Sequence, residues 1–223
     1  MVIGILIALQ INNWNEGRKI KNLEKQFLKR LRSDLVLDTI YYSHRIIESD
    51  TVMHFHQNII RKMLERQEDM NEFKSLLRGL GLTSEHLTTR NSTYVEMLNS
   101  GNLNIIENEI LKNDLLNYYL GNEQAAKHIK EFNEFSVLSL LSTIELIPGI
   151  GRVLEFNKNL YDGMDLKFED WTFINEPYSR EYQSLENTIV VYLNKNKVFS
   201  SYFNLLKKES VGLIETIDSE LEP

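Results

Sequence analysis

The stretch Ile20–Ile40, IKNLEKQFLKRLRSDLVLDTI, decides the fold class. Leu23, Phe27, Leu31 and Leu35 recur every three or four residues with Lys and Arg between them, which gathers the apolar side chains on one face of an α-helix. The same stepping continues through Ile40, Ile47, Phe55, Ile59 and Met63, so the spacing predicts one helix from about Ile20 to about Arg66. A helix of that length needs partners along it, because isolated helices are marginal in water.

Two further runs supply those partners. Leu111, Leu115, Tyr118, Ala125, Ile129 and Phe132 keep the spacing with one skipped position, Asn122, and predict a helix over Glu107–Leu146. Its C-terminal half, FSVLSLLSTIELI at Phe135–Ile147, is apolar enough to predict burial on more than one face. Pro148, Gly149 and Gly151 end it. From Ser179 a last stripe runs through Leu185, Ile189, Tyr192, Phe199, Phe203, Leu206, Leu213, Ile217 and Leu221. Between the first two helices, a short helix ends at Gly79 or Gly81, Thr93 and Glu96 fit a capping box, and Gly101 closes STYVEMLNSG as a C-terminal cap. The aromatic segment Phe156–Pro177 reads as a loop or hairpin capping one end. The expected fold is all-α: an elongated antiparallel bundle of three long helices plus short connectors over 16–223, preceded by a partial transmembrane helix at 1–15.

Composition agrees. The chain has 223 residues, 42% hydrophobic and 26% charged, with only 3 Pro and 10 Gly, which favours long helices over short strands and turns. It has no cysteine, so disulfide and thiolate chemistry are excluded. The net charge of −7 argues against nucleic acid as a partner. Between Glu16 and Arg32, seven cations face two anions, so a single basic block follows the apolar start and the rest of the chain is acidic.

No catalytic constellation is present. The phosphate-loop, nucleophile-elbow and His-Glu-x-x-His patterns are missing, and no cofactor or metal is expected. His44 with Glu48, and His54 with Asp50, stand four apart and read as surface ion pairs, because a helical metal centre would need more ligands. Tyr41–Tyr42 and Tyr118–Tyr119 read as core packing with one member of each pair at the boundary. Tyr41, Tyr118 and Trp171 are the candidates for a ligand pocket. Trp171 also suits a lid or a small-core plug.

Met1–Ile11 is apolar apart from Gln10, about half of the ~20 residues a membrane span requires. It lacks the preceding charge and the small-residue cleavage site of a signal peptide. Asn12, Asn13, Trp14, Arg18 and Lys19 follow in the order of a membrane border, with Trp14, Arg18 and Lys19 as the interfacial residues. The stretch VIGILIALQINNWNEGRK closely resembles the end of the membrane segment in a family of uncharacterised bacterial proteins known only as a domain of unknown function. The later STYVEMLNSGNLNIIENEILKNDLLNYY, Ser92–Tyr119, is similar to an internal motif of that family, a tight Ser-Gly-Asn turn before a long helix. The resemblance implies a longer apolar run and an upstream basic stretch that this sequence lacks, so the N-terminus reads as truncated. It also implies a single-pass protein of the bacterial inner membrane. The basic block alone would hold the domain in the cytoplasm, whereas the implied upstream cations send it to the periplasm, and the latter is the expectation.

The functional expectation is a non-enzymatic membrane-anchored helical domain. It would act in interaction, scaffolding or sensing, with the lipid bilayer and a protein partner or self-association as its contacts. The alternative is an extracytoplasmic small-molecule-binding sensor bundle using Tyr41, Tyr118 and Trp171.

Overall fold

The computed structural model describes residues 2–78, 80, 84–154 and 171–222, and among these the regular structure is entirely helical. Helix α1 is Val2–Met63, α2 Met70–Leu77, α3 Ser92–Asn99, α4 Glu109–Leu146, α5 Ile150–Val153 and α6 Arg180–Leu221, with 3₁₀ turns at Asn102–Ile105 and Thr172–Asn175. The three long helices follow the spacing in the sequence. The apolar N-terminal run is not set off from the amphipathic stretch: α1 is continuous through both. Gly79 and Gly81, and residues 156–170 of the aromatic segment, lie outside the described residues.

The turns have simple causes. Gly101 and Gly149 both adopt positive φ, 72° and 80°, where a side chain is disfavoured, and each reverses the chain just after a helix. The expected capping box at α3 does not form. The Thr93 hydroxyl instead donates to Asp34 at 2.6 Å, and the Glu96 carboxylate receives Arg30. Both side chains tie α3 to α1, because α1 offers partners of opposite polarity there.

The chain divides into two compact units. One comprises 1–43, 88–124 and 204–223, the other 44–87 and 125–203. In the first unit, Phe27, Leu31 and Leu35 of α1 pack with Tyr94, Met97, Leu111, Leu115, Tyr118, Leu213 and Ile217. In the second, Ile59 and Met63 pack with Phe73, Leu77, Ile147, Trp171, Tyr182, Leu185 and Tyr192.

Helix direction differs from expectation. In the first unit Glu24 accepts from the Glu107 amide and Tyr42 donates to Asn122, so α1 and α4 rise together. Asn108 donates to Glu220, and Tyr118 meets Ser210, so α6 runs against α4. In the second unit Ser200 donates to Asp50 and Tyr182 to the Met63 carbonyl, while Ser139 meets Thr188 and Thr143 meets Ser184. There α6 opposes both α1 and α4. The bundle is therefore not antiparallel throughout: α1 and α4 are parallel, and the long connector between them permits it.

Two faces of these helices invert the expected polarity. Ile40 and Ile47, assigned to the core stripe of α1, are exposed, and the positions turned inward are Asp38, Tyr42, Ser49 and His56. In α4, Phe135, Leu138 and Leu141 are exposed, and Asn133, Ser136 and Thr143 are buried beside Leu140, so the half predicted to be buried on several faces buries one mixed face.

Candidate functional site

The N-terminal part of α1 has no partner among the described residues. Positions 3–14 are all exposed, with Ile3 at 74% and Trp14 at 64%. At about 100° per residue, Ile3, Ile5, Leu6, Ile7, Leu9 and Ile11 point to all sides of the helix rather than along one stripe. A single partner helix would cover only one stripe of it. The Arg18 guanidinium sits 5.2 Å from the Trp14 ring centroid, and Lys19 pairs with Glu16 at 2.8 Å. Trp14, Arg18 and Lys19 are all exposed on the turns directly after the apolar segment. No helix of the described residues is long and apolar enough to cross a membrane.

The second candidate is a polar cluster inside the first unit. Asp38 is fully buried, and its carboxylate accepts from the Arg90 amide, the Arg90 guanidinium and the Tyr118 hydroxyl, each at 3.1 Å. The Tyr42 hydroxyl donates to Asn122 at 2.7 Å and lies 3.3 Å from that of Tyr118. Thr89 donates to the same Asn122 oxygen, and the Asn122 amide donates to the Tyr118 carbonyl. Burial pushes the Asp38 carboxyl above the usual carboxylate range, opposed by the donors from Arg90 and Tyr118. Burial likewise raises the phenols of Tyr42 and Tyr118 far beyond the neutral range, so both act as hydroxyl donors and acceptors. Asn122, the skipped apolar position of α4, is the hub of this cluster. Its interruption of the stripe was the one sequence signal pointing here.

The pocket candidates separate. Tyr118 is consumed by the Asp38 cluster in the first core, and half-buried Tyr41 accepts the Thr88 amide at 3.4 Å in the same unit. Trp171 is buried in the second core, 5.4 Å from the Phe173 ring, with the Lys74 ammonium 5.0 Å from its own ring. The plug reading of Trp171 therefore fits its surroundings. Tyr119, placed at the boundary from its position beside Tyr118, is buried as well and stacks on Tyr94 with centroids 4.0 Å apart. That is a correction with a simple cause, since α3 covers the face of α4 that the spacing left open.

The second unit holds its own charged interior. Arg45 pairs with Glu85 and with Glu48, and Lys195 is 2% exposed, its ammonium 4.5 Å from the Tyr192 ring and 5.7 Å from Phe199. Burial lowers the Lys195 ammonium to about 8, against a partial restoring effect of Glu85. His56 Nε2 donates to the Leu80 carbonyl at 2.6 Å, and burial, reinforced by Lys195, lowers its pKa and keeps the ring neutral. The histidines singled out from spacing behave differently. His44 meets Glu48 at 3.3 Å as expected, but His54 contacts the Asp50 backbone carbonyl, because the Asp50 carboxylate is taken by Ser200. No group of three or more metal-binding side chains occurs among the described residues.

Lys195 gives a sharp prediction. The unfolded chain holds this proton up to about 10.4 and the folded chain only to about 8. Keeping it charged inside therefore costs about 3 kcal/mol at neutral pH, and cation–π attraction returns about 1 kcal/mol. Lys195→Met is expected to stabilise the protein by about 2 kcal/mol at pH 7. The advantage shrinks as pH rises from about 8 toward 10.4, where the wild type sheds the penalty. Urea unfolding at pH 7 and pH 9.5 measures it, and a destabilised Lys195→Met protein would show that the ammonium is net favourable.

No protein-family model, curated protein or solved structure matches this chain.

Proposed function

We propose that this protein is a membrane-anchored helical module without catalytic activity, held at the bilayer by the N-terminal part of α1 and working through its helical surfaces in interaction or scaffolding. The observation that carries this reading is the all-round apolar exposure of residues 3–11, followed by exposed Trp14, Arg18 and Lys19. An interfacial helix lying flat would show one apolar and one charged face; this segment has no charged face. Ten helical residues advance about 15 Å, half of a ~30 Å hydrocarbon core. The resemblance of VIGILIALQINNWNEGRK to a membrane-exit sequence supports the same reading.

Tryptophan fluorescence tests it. Trp14 and Trp171 are the two tryptophans, so Trp171→Phe leaves Trp14 as the reporter. With anionic vesicles its emission is expected to shift to the blue, and lipids brominated near the headgroup are expected to quench it more strongly than lipids brominated at the chain end. An emission unchanged by vesicles, together with native full-length protein staying in the supernatant after gentle lysis, would sink the anchor.

A further inference from the structure

We propose that α1 carries, directly beyond its apolar segment, a face for anionic phospholipid headgroups built from Arg18, Lys25 and Lys29, and that the helix leans toward the bilayer on this face. The inference rests on the membrane-anchored reading and adds to it the class of lipid and the side of α1 that meets it. At about 100° per residue, Trp14, Arg18, Lys21, Lys25, Lys29 and Arg32 fall within about 80° of arc, and no Asp or Glu of this stretch falls among them. Phe27, Leu31 and Leu35, which enter the core, stand about 100° or more from Arg18 round the same helix. The cations divide by partner. Lys21 meets Glu107 at 3.6 Å and Arg32 meets Asp218 at 3.0 Å, so acids of the same unit hold these two. Arg18, Lys25 and Lys29 are exposed and pair with no acid among the described residues; Arg18 instead lies 5.2 Å from the Trp14 ring.

Three uncompensated cations on one arc attract anions, and their continuity with Trp14 and the apolar segment points to headgroup phosphates as those anions. The packed side of α1 has the opposite sign. Glu24 accepts the Glu107 amide at 2.8 Å and Asn108 donates to Glu220 at 2.7 Å, so the unit gathers the carboxylates of Glu24, Glu107 and Glu220 beside the same turns of α1. Anionic headgroups repel that group and attract the cations, which fixes the direction of the lean. On an upright helix Lys25 and Lys29 would stand about 10 Å and about 16 Å farther from the bilayer than Arg18, at or beyond the screening length of ~8–10 Å. Leaning toward their own face brings both closer.

Vesicle binding by the full-length protein tests this. Binding to phosphatidylcholine vesicles reads the apolar anchor, and the ratio of affinities for phosphatidylglycerol-containing and pure phosphatidylcholine vesicles reads the cation face. Each cation at an anionic surface is worth about fivefold, and Lys25 and Lys29, set back from the bilayer, are taken together at about tenfold. Lys25→Gln with Lys29→Gln is expected to lower the ratio by about tenfold. Lys207→Gln with Lys208→Gln on α6 removes the same charge elsewhere in the unit and is expected to leave the ratio intact. A wild type that binds both vesicles equally, a ratio unmoved by the Lys25 and Lys29 changes, or an equal fall with the Lys207 and Lys208 changes overturns the proposal and leaves the anchor standing. No binding of the wild type to either vesicle overturns both. The chain has no cysteine, so a single label reads the lean. A fluorophore on Asn22→Cys, on the cation face, is expected to be quenched by headgroup-labelled lipid more strongly than one on Ser219→Cys, which neighbours Glu220, and the reverse order overturns it.

Discussion

Replacing Leu6 and Leu9 by aspartate is expected to weaken binding of the full-length protein to anionic vesicles by about 100-fold. Each aspartate placed at the centre of a membrane helix costs about 2.5–3.5 kcal/mol. Positions nearer the interface cost less, so the pair is set at about 3 kcal/mol, which is about 100-fold in partitioning. Both leucines are exposed and touch no core, so the fold is expected to survive, with unchanged helical circular dichroism. Co-sedimentation with vesicles reads the loss. Raising salt should weaken the wild type less than this, because screening reaches the cations of α1 and leaves the apolar contribution intact. A variant that sediments like the wild type would show that the apolar segment does not enter the bilayer.

The second large effect lies in the Asp38 cluster. Asp38→Ala removes the acceptor of three hydrogen bonds, strands the Arg90 amide and leaves the Tyr118 hydroxyl only the more distant Tyr42 oxygen, at 3.3 Å, as an acceptor. Each orphaned buried donor costs about 1–3 kcal/mol. The Arg90 guanidinium is 39% exposed and turns to solvent at little cost, which keeps the sum below that of a fully buried ion pair. The expected loss is about 3 kcal/mol, or a fall of about 6–12 °C in unfolding temperature for a chain of this size. Tyr118→Phe leaves one Asp38 oxygen without its donor, and the double mutant should lose less than the two single changes added, by about 1 kcal/mol or more. Thermal and urea unfolding of the four proteins measure this; an Asp38→Ala variant within 0.5 kcal/mol of wild type would mean that the cluster does not hold the first unit together.

The sequence made the long helices legible because apolar residues three or four apart report helical phase whatever covers them. Leu111, Leu115 and Tyr118 were read correctly for this reason, as was the left-handed turn at Gly101, which only the absence of a side chain makes cheap. The same logic failed where polar residues face inward. Ile40, Ile47 and Leu138 look like core residues by hydropathy, yet Asp38, Tyr42, Asn122, Ser136 and Thr143 occupy the interior beside them. A buried polar side chain is tolerated when a partner satisfies it, and that partner stands 49 residues away for Ser139–Thr188 and 80 for Tyr118–Asp38. Local spacing carries no record of such pairs. Thr93 and Glu96 failed as a capping box for the same reason: the pattern was local, and stronger partners waited on α1.

By itself the sequence determined the all-α class of the described residues, the spans of the helices at Glu109–Leu146 and Arg180–Leu221, and where the first helix ends, but not its continuation back to Val2 through the apolar segment. All are set by neighbours within a few turns. The tertiary structure alone decided that α1 and α4 run parallel, that each compact unit has a polar cluster inside its core, and that the apolar face of Phe135 and Leu138 is turned outward. Those outcomes depend on which distant groups can satisfy one another's hydrogen bonds and charges, a condition that exists only once the helices are packed.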